Sequence, residues 1–408
     1  MTEVQGGVTA PLGFKAAGVH AGVKKQKKDL AVLVSDVPAW AAGVFTQNIV
    51  KAAPVLWDER IIAAGRAVRG VVINSGNANA CTGSRGDEDA RKMAELLAGQ
   101  ISADPEEILV ASTGMIGVCL PMPAIAEGIL AAGKALAGGE SDGLEAAEAI
   151  MTTDTFSKTA AVTVTIGGKR VTVGGMAKGS GMIHPNMATT LAFVTTDAAV
   201  ARPLLRRALS DCAADTFNMI SVDGDTSTND TILVLANGMA GNPVVDTEDS
   251  GFEIFRQALL HVTRKLAVDV ARDGEGATKL ITVDVTGARA ADDARKIARS
   301  VVASNLFKAA MFGADAGCGR GRALCAMGYS GGVFDPERVT IAFQSSQGEI
   351  TLMTEGEPVE FDERLASKIL SADDILVNIA LVDGAAAATA WGCDLTYDYV
   401  KINADYRS

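Results

Sequence analysis

Short apolar runs alternate with longer amphipathic segments along most of the chain. The runs 29–36, 69–75 and 107–113 are rich in Val, Ile and Leu and predict buried strands. Segments 87–100 and 123–138 repeat their apolar residues at helical spacing and predict helices. Strands that alternate with helices in this way indicate an α/β protein.

The middle of the chain extends this pattern. Residues 160–175 predict a β-hairpin around Gly167-Gly168, because glycine tolerates the positive φ of a two-residue hairpin turn. Helical periodicity returns at 199–217 and again at 250–273.

Beyond about residue 300 the pattern shifts towards short strands. After a strand predicted at 279–287, further strands are predicted at 338–345, 349–354, 375–381 and 385–402. The sequence shows no internal repeat and no low-complexity linker. The shift therefore predicts mixed sheets and a smaller C-terminal domain.

The composition indicates a globular protein and argues against some partners. Hydrophobic residues make up 48% of the 408 residues, which is enough for a large core and two or three domains. The net charge of −12 argues against nucleic acid as the main partner. No apolar run reaches the roughly 18–20 residues of a membrane span, and residues 1–14 lack the pattern of a secretory signal. We expect a cytoplasmic protein that binds neither nucleic acid nor membrane.

The scarcity of histidine limits the chemistry of the chain. The three histidines form no H-E-x-x-H pair, and the six cysteines form no C-x-x-C motif. We therefore expect no metal site and reduced cysteines in the core. Histidine is also poorly provided as a general base, and we expect the base to come from elsewhere.

Three short motifs have structural explanations beside their catalytic ones. GYSGG (328–332) fits the G-x-S-x-G nucleophile elbow, but no histidine follows residue 261, so a glycine-rich turn is favoured. GCGRGR (317–322) lacks the G-K-[ST] ending of a phosphate-binding loop and also predicts a turn. DGDTSTND (223–230) has the oxygen ligands of a hard-cation site, although Asx and Ser/Thr turns explain it equally well.

Two segments that directly follow or end strands also have two explanations each. NSGNANACTG (74–83) suits a tight turn, since Asn and Gly tolerate positive φ, and its small polar groups would also suit a wall around a polar substrate. In ASTGMIG (111–117), Thr113 and Gly114 end a strand. There a hydroxyl and a backbone N–H could form an oxyanion hole or simply a turn.

The segment GMIHPNMATTLAF (181–193) places Ala188 and Thr189 where an irregular loop becomes an apolar strand. One explanation is that threonine favours strands. The other is cleavage between these residues, in which Thr189 Oγ attacks the Ala188 carbonyl and water then releases the ester. The freed α-amine, with an ordinary pKa of about 7.7–8.0, could take the proton from Oγ and serve as the missing base.

The longer segment KGSGMIHPNMATTLAF (178–193) resembles the self-cleavage motif of the ornithine acetyltransferase family, the bifunctional acetyltransferases of arginine biosynthesis. The resemblance continues in family order over nearly the whole chain. The other segments that carry it are GVFTQNIVKAAPVLW, NSGNANACTG, ASTGMIG, IMTTDTF, VGGMAKGSGM, DGDTSTNDT, DGEGATK and YDYVKINADYRS. It implies an αββα-type core of mixed sheets layered with helices, plus a smaller C-terminal α/β domain.

The resemblance also implies a chain that cuts itself. The products would be an α chain, 1–188, and a β chain, 189–408, which stay together, commonly as an α2β2 assembly. The β chain would comprise a core part, 189–290, and a C-terminal domain, 291–408.

The family reaction moves an acetyl group from N2-acetylornithine to L-glutamate and gives ornithine and N-acetylglutamate. The resemblance implies that Thr189 is the nucleophile and that Thr113 and Gly114 form the oxyanion hole. It implies no cofactor, although some members also accept acetyl-CoA as a co-substrate. The implied substrate-binding positions are Thr152, Lys178, Thr189, Glu275, Asn403 and Ser408.

One segment departs from the family pattern. Where the family usually has Asn-Trp-Gly-Arg, residues 312–331 read FGADAGCGRGRALCAMGYSG and are slightly longer. Loss of a tryptophan from the 312–322 loop would remove a large packing contribution. This raises a first alternative, a binding protein without activity. A second is an N-terminal-nucleophile amidase or aminopeptidase, in which water accepts the acyl group.

Overall fold

The computed structural model describes residues 1–184 and 190–405. Ala188, Thr189 and Ser408 lie outside the described residues. The described chain divides into two compact units. The first comprises residues 1–179, 190–218 and 226–270, and the second comprises 180–184, 219–225 and 271–405. The division into an α and a β chain at 188/189, and of the latter at 290/291, stays a prediction that these units do not test.

The described residues form strands and helices in alternation. The strands are β1 (Thr2–Glu3), β2 (Phe14–Val19), β3 (Leu30–Phe45), β4 (Val68–Asn77), β5 (Ile108–Met115), β6 (Lys158–Ile166), β7 (Lys169–Lys178), β8 (Leu191–Thr196), β9 (Ile220–Ser221), β10 (Thr231–Ala236), β11 (Leu280–Ala288), β12 (Thr340–Ser345), β13 (Gly348–Thr354), β14 (Glu357–Pro358), β15 (Asp374–Ala380) and β16 (Ala386–Cys393). The helices are α1 (Ala53–Ala64), α2 (Gly83–Ile101), α3 (Met122–Ala135), α4 (Glu140–Ala149), α5 (Arg202–Asp215), α6 (Ser250–Arg272), α7 (Ala291–Ala303), α8 (Asn305–Phe312), α9 (Ala316–Gly328), α10 (Glu363–Leu370) and α11 (Tyr397–Ala404). Among the helices described, none is long and apolar enough to cross a membrane.

The first unit contains a mixed sheet whose strand order is β1-β6-β7-β8-β10-β3-β4-β5, with β2 also paired to β3. Strand β3 joins its two halves. Residues 30–35 of β3 pair with β2, and residues 40–45 pair with β10. The β3–β4 pairing is irregular between Val34 and Ala39, where β3 passes from one half to the other. The pairs β8–β10 and β4–β5 are parallel.

The two halves of this sheet share one apolar core. Leu33 and Val71, from β3 and β4, belong to the same buried cluster as Met176 and Phe193, from β7 and β8. Period-two alternation explains this, because each strand turns every second side chain towards the core. The opposite faces of both halves are then left for helices.

Helices cover those outer faces. In α2 and α3, Met93, Leu97 and Ile129 pack with Val32 and other residues of β2–β5 in a second buried cluster. In α6, Leu266 approaches β7 so closely that a Cβ on Gly175 would lie 3.0 Å from its Cδ1. The order helix, sheet, sheet, helix agrees with the αββα-type core that the resemblance implied.

The second unit contains the mixed sheet β14-β13-β12-β15-β11-β16-β9. Its central strand β11 runs parallel to β15 and antiparallel to β16. Helix α7 packs on β11 and β16, and α10 packs on β12 and β13. The predicted α/β class with mixed sheets is therefore confirmed.

Most elements predicted from periodicity are confirmed. The runs at 29–36, 69–75 and 107–113 lie in β3, β4 and β5, and the predicted hairpin is β6–β7, with Ile166 paired to Lys169. Helices α2, α3, α5 and α6 lie where the apolar spacing predicts them.

The prediction of short strands after residue 300 is partly wrong. Residues 385–402 form β16 and then α11, because the Thr396 hydroxyl accepts a hydrogen bond from the Asp398 N–H at 3.2 Å and caps a helix. GCGRGR lies inside α9, which the Asp315 carboxylate caps by accepting from Cys318 N at 2.9 Å. The periodicity also does not predict α7, α8 or α10.

GYSGG is a turn, as expected. It begins at the end of α9, and the Ser330 hydroxyl accepts from Gly332 N at 3.0 Å. A nucleophile elbow would need a strand before the serine, so this motif carries no hydrolase site.

Candidate active site

Thr113 and Gly114 lie at the end of β5, beside the parallel strand β4. Gly114 has φ 135° and is paired with Gly76, which has φ 98°. A Cβ on Gly114 would lie 2.2 Å from the carbonyl carbon of Gly76. Position 114 therefore requires glycine, both for its positive φ and for the close approach of the Gly76 backbone. Thr113 and Gly114 are themselves only partly buried at this strand end.

Lys178 lies beside this strand end. It is the last residue of β7, it is buried, and its Nζ donates to Thr113 Oγ1 at 3.4 Å. Because the Thr113 oxygen accepts this bond, its own O–H remains a donor for a ligand. The Thr190 hydroxyl donates to the backbone carbonyl of Lys178, which fixes the beginning of β8 against the end of β7.

Asp154 connects the backbone at Thr152 with the backbone after Lys178. Its Oδ2 accepts from Thr152 N at 2.8 Å, and its Oδ1 accepts from Gly179 N at 2.7 Å. Oδ1 also accepts from Lys158 Nζ at 2.7 Å, and neither of these two side chains is exposed to solvent. Three of the proposed ligand positions, Thr113, Thr152 and Lys178, therefore belong to one bonded network.

The charges of this network explain the ionisation of Asp154. Burial alone would raise its pKa, because a desolvated carboxylate is unfavourable. The ammonium groups of Lys178 and Lys158, together with the N–H donors, outweigh burial and hold the pKa of Asp154 well below its ordinary value. Asp154 therefore stays ionised beside Lys158 and Lys178.

In the second unit, Glu275 and Asn403 lie together. Glu275 is buried in the loop after α6, where its N–H donates to Ser180 O at 2.9 Å. Its Oε2 accepts from Asn403 Nδ2, on α11, at 2.7 Å. The carboxylate lies over Gly181, where a Cβ would be 2.4 Å from the Glu275 carboxyl carbon.

The loop DGDTSTND is explained by turn chemistry. The Asp223 carboxylate accepts from the N–H groups of Met182 at 2.6 Å, Ile183 at 2.8 Å and Asp225 at 3.3 Å. Within residues 1–184 and 190–405, no group of three or more His, Cys, Asp or Glu side chains could hold a metal ion.

The fold thus groups Thr113, Gly114, Thr152 and Lys178 in one unit, and Glu275 with Asn403 in the other. The predicted nucleophile Thr189, its neighbour Ala188 and the terminal Ser408 fall outside the described residues. Sequence reasoning did not single out Asp154, although it lies two residues after Thr152 in IMTTDTF. The short distance in sequence between this carboxylate and a proposed ligand position could have identified Asp154.

Residues 15–408 match the sequence profile of the ArgJ family. The chain is 55% identical over 411 residues to the arginine biosynthesis bifunctional protein ArgJ of Symbiobacterium thermophilum, and the match covers all of both chains. It is 49% identical over 408 residues to the protein of the same name from Caldanaerobacter subterraneus, again over all of both chains. A solved structure of ornithine acetyltransferase complexed with ornithine, from Mycobacterium tuberculosis, has 46% identity and a TM-score of 0.42; the match covers 45% of this chain and 96% of that one.

The chain is accordingly an arginine-biosynthesis enzyme of the acyltransferase class. More particularly, it belongs to the ArgJ family, which confirms the resemblance drawn from its motifs.

Proposed function

We propose that the enzyme moves an acetyl group from N2-acetylornithine to L-glutamate through an acetyl ester on Thr189. The observation that carries the proposal is the contact of Lys178 Nζ with Thr113 Oγ1 at 3.4 Å, at a strand end where Gly114 has no side chain. The Lys178 ammonium suits a substrate carboxylate, and the Thr113 hydroxyl with the Gly114 N–H suits a carbonyl that becomes an oxyanion.

The first half of the reaction loads the enzyme. The neutral α-amine of Thr189 takes the Oγ proton, and Oγ attacks the acetyl carbonyl carbon. Donors at Thr113 and Gly114 stabilise the oxyanion of the tetrahedral intermediate. The C–N bond then breaks, the ornithine nitrogen receives the proton from the Thr189 ammonium, and ornithine leaves.

The second half uses the same groups in reverse. The neutral amine of glutamate attacks the ester carbonyl, the C–O bond breaks, and the proton returns to Thr189 Oγ. N-acetylglutamate leaves and the enzyme is regenerated. Lys178 and Thr152 hold the α-carboxylate that both substrates share, while Glu275 and Asn403, with Ser408, receive the ammonium of the ornithine side chain.

The same nucleophile produces the mature enzyme. Thr189 Oγ attacks the Ala188 carbonyl, the C–N bond between the two residues breaks, and the Oγ proton passes to the Thr189 nitrogen. Hydrolysis of the resulting ester leaves chains 1–188 and 189–408, which we propose associate as α2β2. The relatives are named bifunctional. Acetyl-CoA as a second acetyl donor, which would acetylate glutamate directly, fits that word and needs no bound cofactor.

Two measurements test this proposal. Cleavage before Thr189 divides the 42.0 kDa chain into pieces of roughly 19 and 23 kDa, in proportion to their lengths, and denaturing mass spectrometry separates them. N2-acetylornithine alone should then add one acetyl group to the larger piece, and glutamate should remove it. An acetyl group released to water at the same rate with or without glutamate would establish the amidase alternative instead.

A further inference from the structure

The turn that carries Lys24 is held in one conformation by Asp29. The Asp29 carboxylate is fully buried and accepts from the backbone N–H groups of Ala21 at 2.5 Å, Gly22 at 3.1 Å and Lys24 at 2.7 Å. One carboxylate that accepts three backbone N–H groups within four residues fixes the position from which the Lys24 side chain leaves the backbone.

The stem of Lys24 crosses the strand end described above. A Cβ on Gly76 would lie 2.9 Å from Lys24 Cγ, so the side chain rests directly on the Gly76 backbone. Gly76 is in turn the partner of Gly114 across β4 and β5. Lys24 therefore lies against Gly76, whose partner Gly114 is one of the two proposed oxyanion donors.

The Lys24 ammonium ends beside another proposed ligand position. Its Nζ donates to the carbonyl of Met151 at 2.8 Å, and Met151 directly precedes Thr152. An ammonium has three donors, and this carbonyl uses one of them. In the part of the chain that the structure describes, Lys24 makes no ion pair with a carboxylate.

Two carboxylates whose charges act on Lys24, those of Asp29 and Asp154, are already engaged by other donors. Those of Asp29 accept three backbone N–H groups, and those of Asp154 accept from Thr152, Gly179 and Lys158. Burial, the largest cause, lowers the pKa of Lys24 to about 8. Asp29 and Asp154 oppose the shift, while Lys27 and Lys178 add to it. Below that pH the site holds a cation whose natural partner is an anionic ligand.

We infer that Lys24 determines specificity for the acceptor: its ammonium binds the side-chain carboxylate of glutamate. This inference rests on the proposed function, in which Lys178 takes the α-carboxylate that both substrates share. The donor has one carboxylate and the acceptor has two, so a second cation matches the acceptor alone. N2-acetylornithine has an ammonium in place of the second carboxylate and gains nothing from Lys24.

The test compares Lys24→Met and Lys24→Arg in the full, self-cleaved enzyme. Methionine keeps the apolar stem that lies on Gly76 but removes the charge. We expect Lys24→Met to raise KM for glutamate about tenfold or more, the loss typical of a charge-assisted hydrogen bond, and to change KM for N2-acetylornithine less than about twofold. Lys24→Arg should keep most of the glutamate affinity, and the exposed neighbour Lys25→Met is the matched control.

Glutamine as acceptor gives a second, independent measurement, because it lacks only the side-chain carboxylate. The wild-type preference for glutamate over glutamine should fall about tenfold in Lys24→Met and persist in Lys24→Arg. If Lys24→Met raised KM equally for both substrates, Lys24 would bind the α-carboxylate that they share. If the preference for glutamate over glutamine were unchanged, Lys24 would not contact the side-chain carboxylate. Either result overturns the inference.

Failure of the proposed function would look different. The wild-type enzyme would then form no acetyl-enzyme from N2-acetylornithine, whatever the behaviour of the Lys24 variants. If Lys24→Met loads acetyl at the wild-type rate but releases it slowly to glutamate, the proposed function and the inference both stand.

Discussion

The backbone N–H of Gly179 donates to Asp154 Oδ1 at 2.7 Å, and this bond ties the residue after Lys178 to the loop that carries Thr152. Twenty-five positions of sequence separate the two residues. The buried Asp154 carboxylate thus positions both Thr152 and the backbone next to Lys178. Its Oδ1 also accepts from Lys158 Nζ.

We expect Asp154→Asn to impair both stability and catalysis. The variant removes the carboxylate of the buried Lys158–Asp154 ion pair, and loss of one member of such a pair destabilises a fold by about 3–5 kcal/mol. It also replaces an acceptor with an amide N–H facing Thr152 or Gly179. The value of kcat/KM should fall at least about tenfold at temperatures where the protein is still folded. Steady-state assays and thermal unfolding measure the two effects.

Asp197→Asn is the matched control. Asp197 is also buried and accepts two backbone N–H groups, from Thr172 at 2.7 Å and Leu12 at 3.0 Å, but it follows the other end of β8. It should lower the free energy of unfolding by about 1–3 kcal/mol and leave kcat/KM of the folded enzyme unchanged. Equal losses of kcat/KM in both variants would show that Asp154 has no special relation to the site.

Thr189→Ala should abolish both self-cleavage and transfer, because it removes the hydroxyl that we propose as the nucleophile of both reactions. A loss of kcat/KM of more than about a thousandfold is expected. Thr189→Ser keeps a hydroxyl and a potential α-amine, so it should retain both reactions at reduced rates. Denaturing mass spectrometry measures the cleavage, and a Thr189→Ala chain that still divides before residue 189 would refute the assignment.

Gly181→Ala should change substrate binding more than stability. The new Cβ would meet the Glu275 carboxylate at 2.4–2.5 Å, and the end of a glutamate side chain can move aside at low energetic cost. The free energy of unfolding should change by less than about 1 kcal/mol, whereas KM for N2-acetylornithine should rise about tenfold as Glu275 is displaced.

Gly99→Ala controls for the loss of a glycine. Gly99 is exposed in α2, and a Cβ there meets nothing within 4 Å. It should stabilise the helix by up to about 1 kcal/mol without changing KM. An unchanged KM in Gly181→Ala would mean that Glu275 does not need its observed position.

The segment that departs from the family pattern can be tested with two glycines of α9. A Cβ on Gly321 meets nothing within 4 Å, so Gly321→Ala should stabilise the protein by up to about 1 kcal/mol. A Cβ on Gly319 would lie 2.6 Å from Met311 Cε, so Gly319→Ala should destabilise it by about 1–3 kcal/mol. Chemical unfolding measures both changes. We expect kcat/KM to be unchanged in Gly321→Ala, and a loss there would implicate the segment in catalysis.

The pH dependence of glutamate binding follows from the ionisation of Lys24. Burial lowers its pKa to about 8, so the ammonium is present below this pH and is lost as the pH rises through it. The wild-type KM for glutamate should therefore rise above pH about 8. In Lys24→Arg the guanidinium stays charged, so the ratio of wild-type to Lys24→Arg KM should increase with pH. A ratio independent of pH would contradict the role of Lys24; the titration of glutamate itself cancels in the ratio.

The sequence by itself determined several elements of the first unit and the motifs that identify the family. The apolar runs in β3, β4 and β5 and the helical spacing in α2 and α3 are local signals. The spacing of apolar residues within one short segment is enough to distinguish a strand from a helix. The strand that contains Thr113 and Gly114 was predicted for the same reason, because its apolar run is visible in the sequence. Local patterns predicted α11 and α9 wrongly, since their apolar residues are few and their capping bonds decide the structure.

Within each unit, tertiary structure alone decided which distant groups lie together. Lys24 crosses Gly76, Asp154 holds Gly179, and Asn403 binds Glu275 across 128 positions of sequence. No periodicity encodes these contacts, because they depend on how strands pair and which backbones lack a Cβ at the point of approach. The sequence identified the family of the enzyme. Only the packing of the chain determined which of its charged groups lie together.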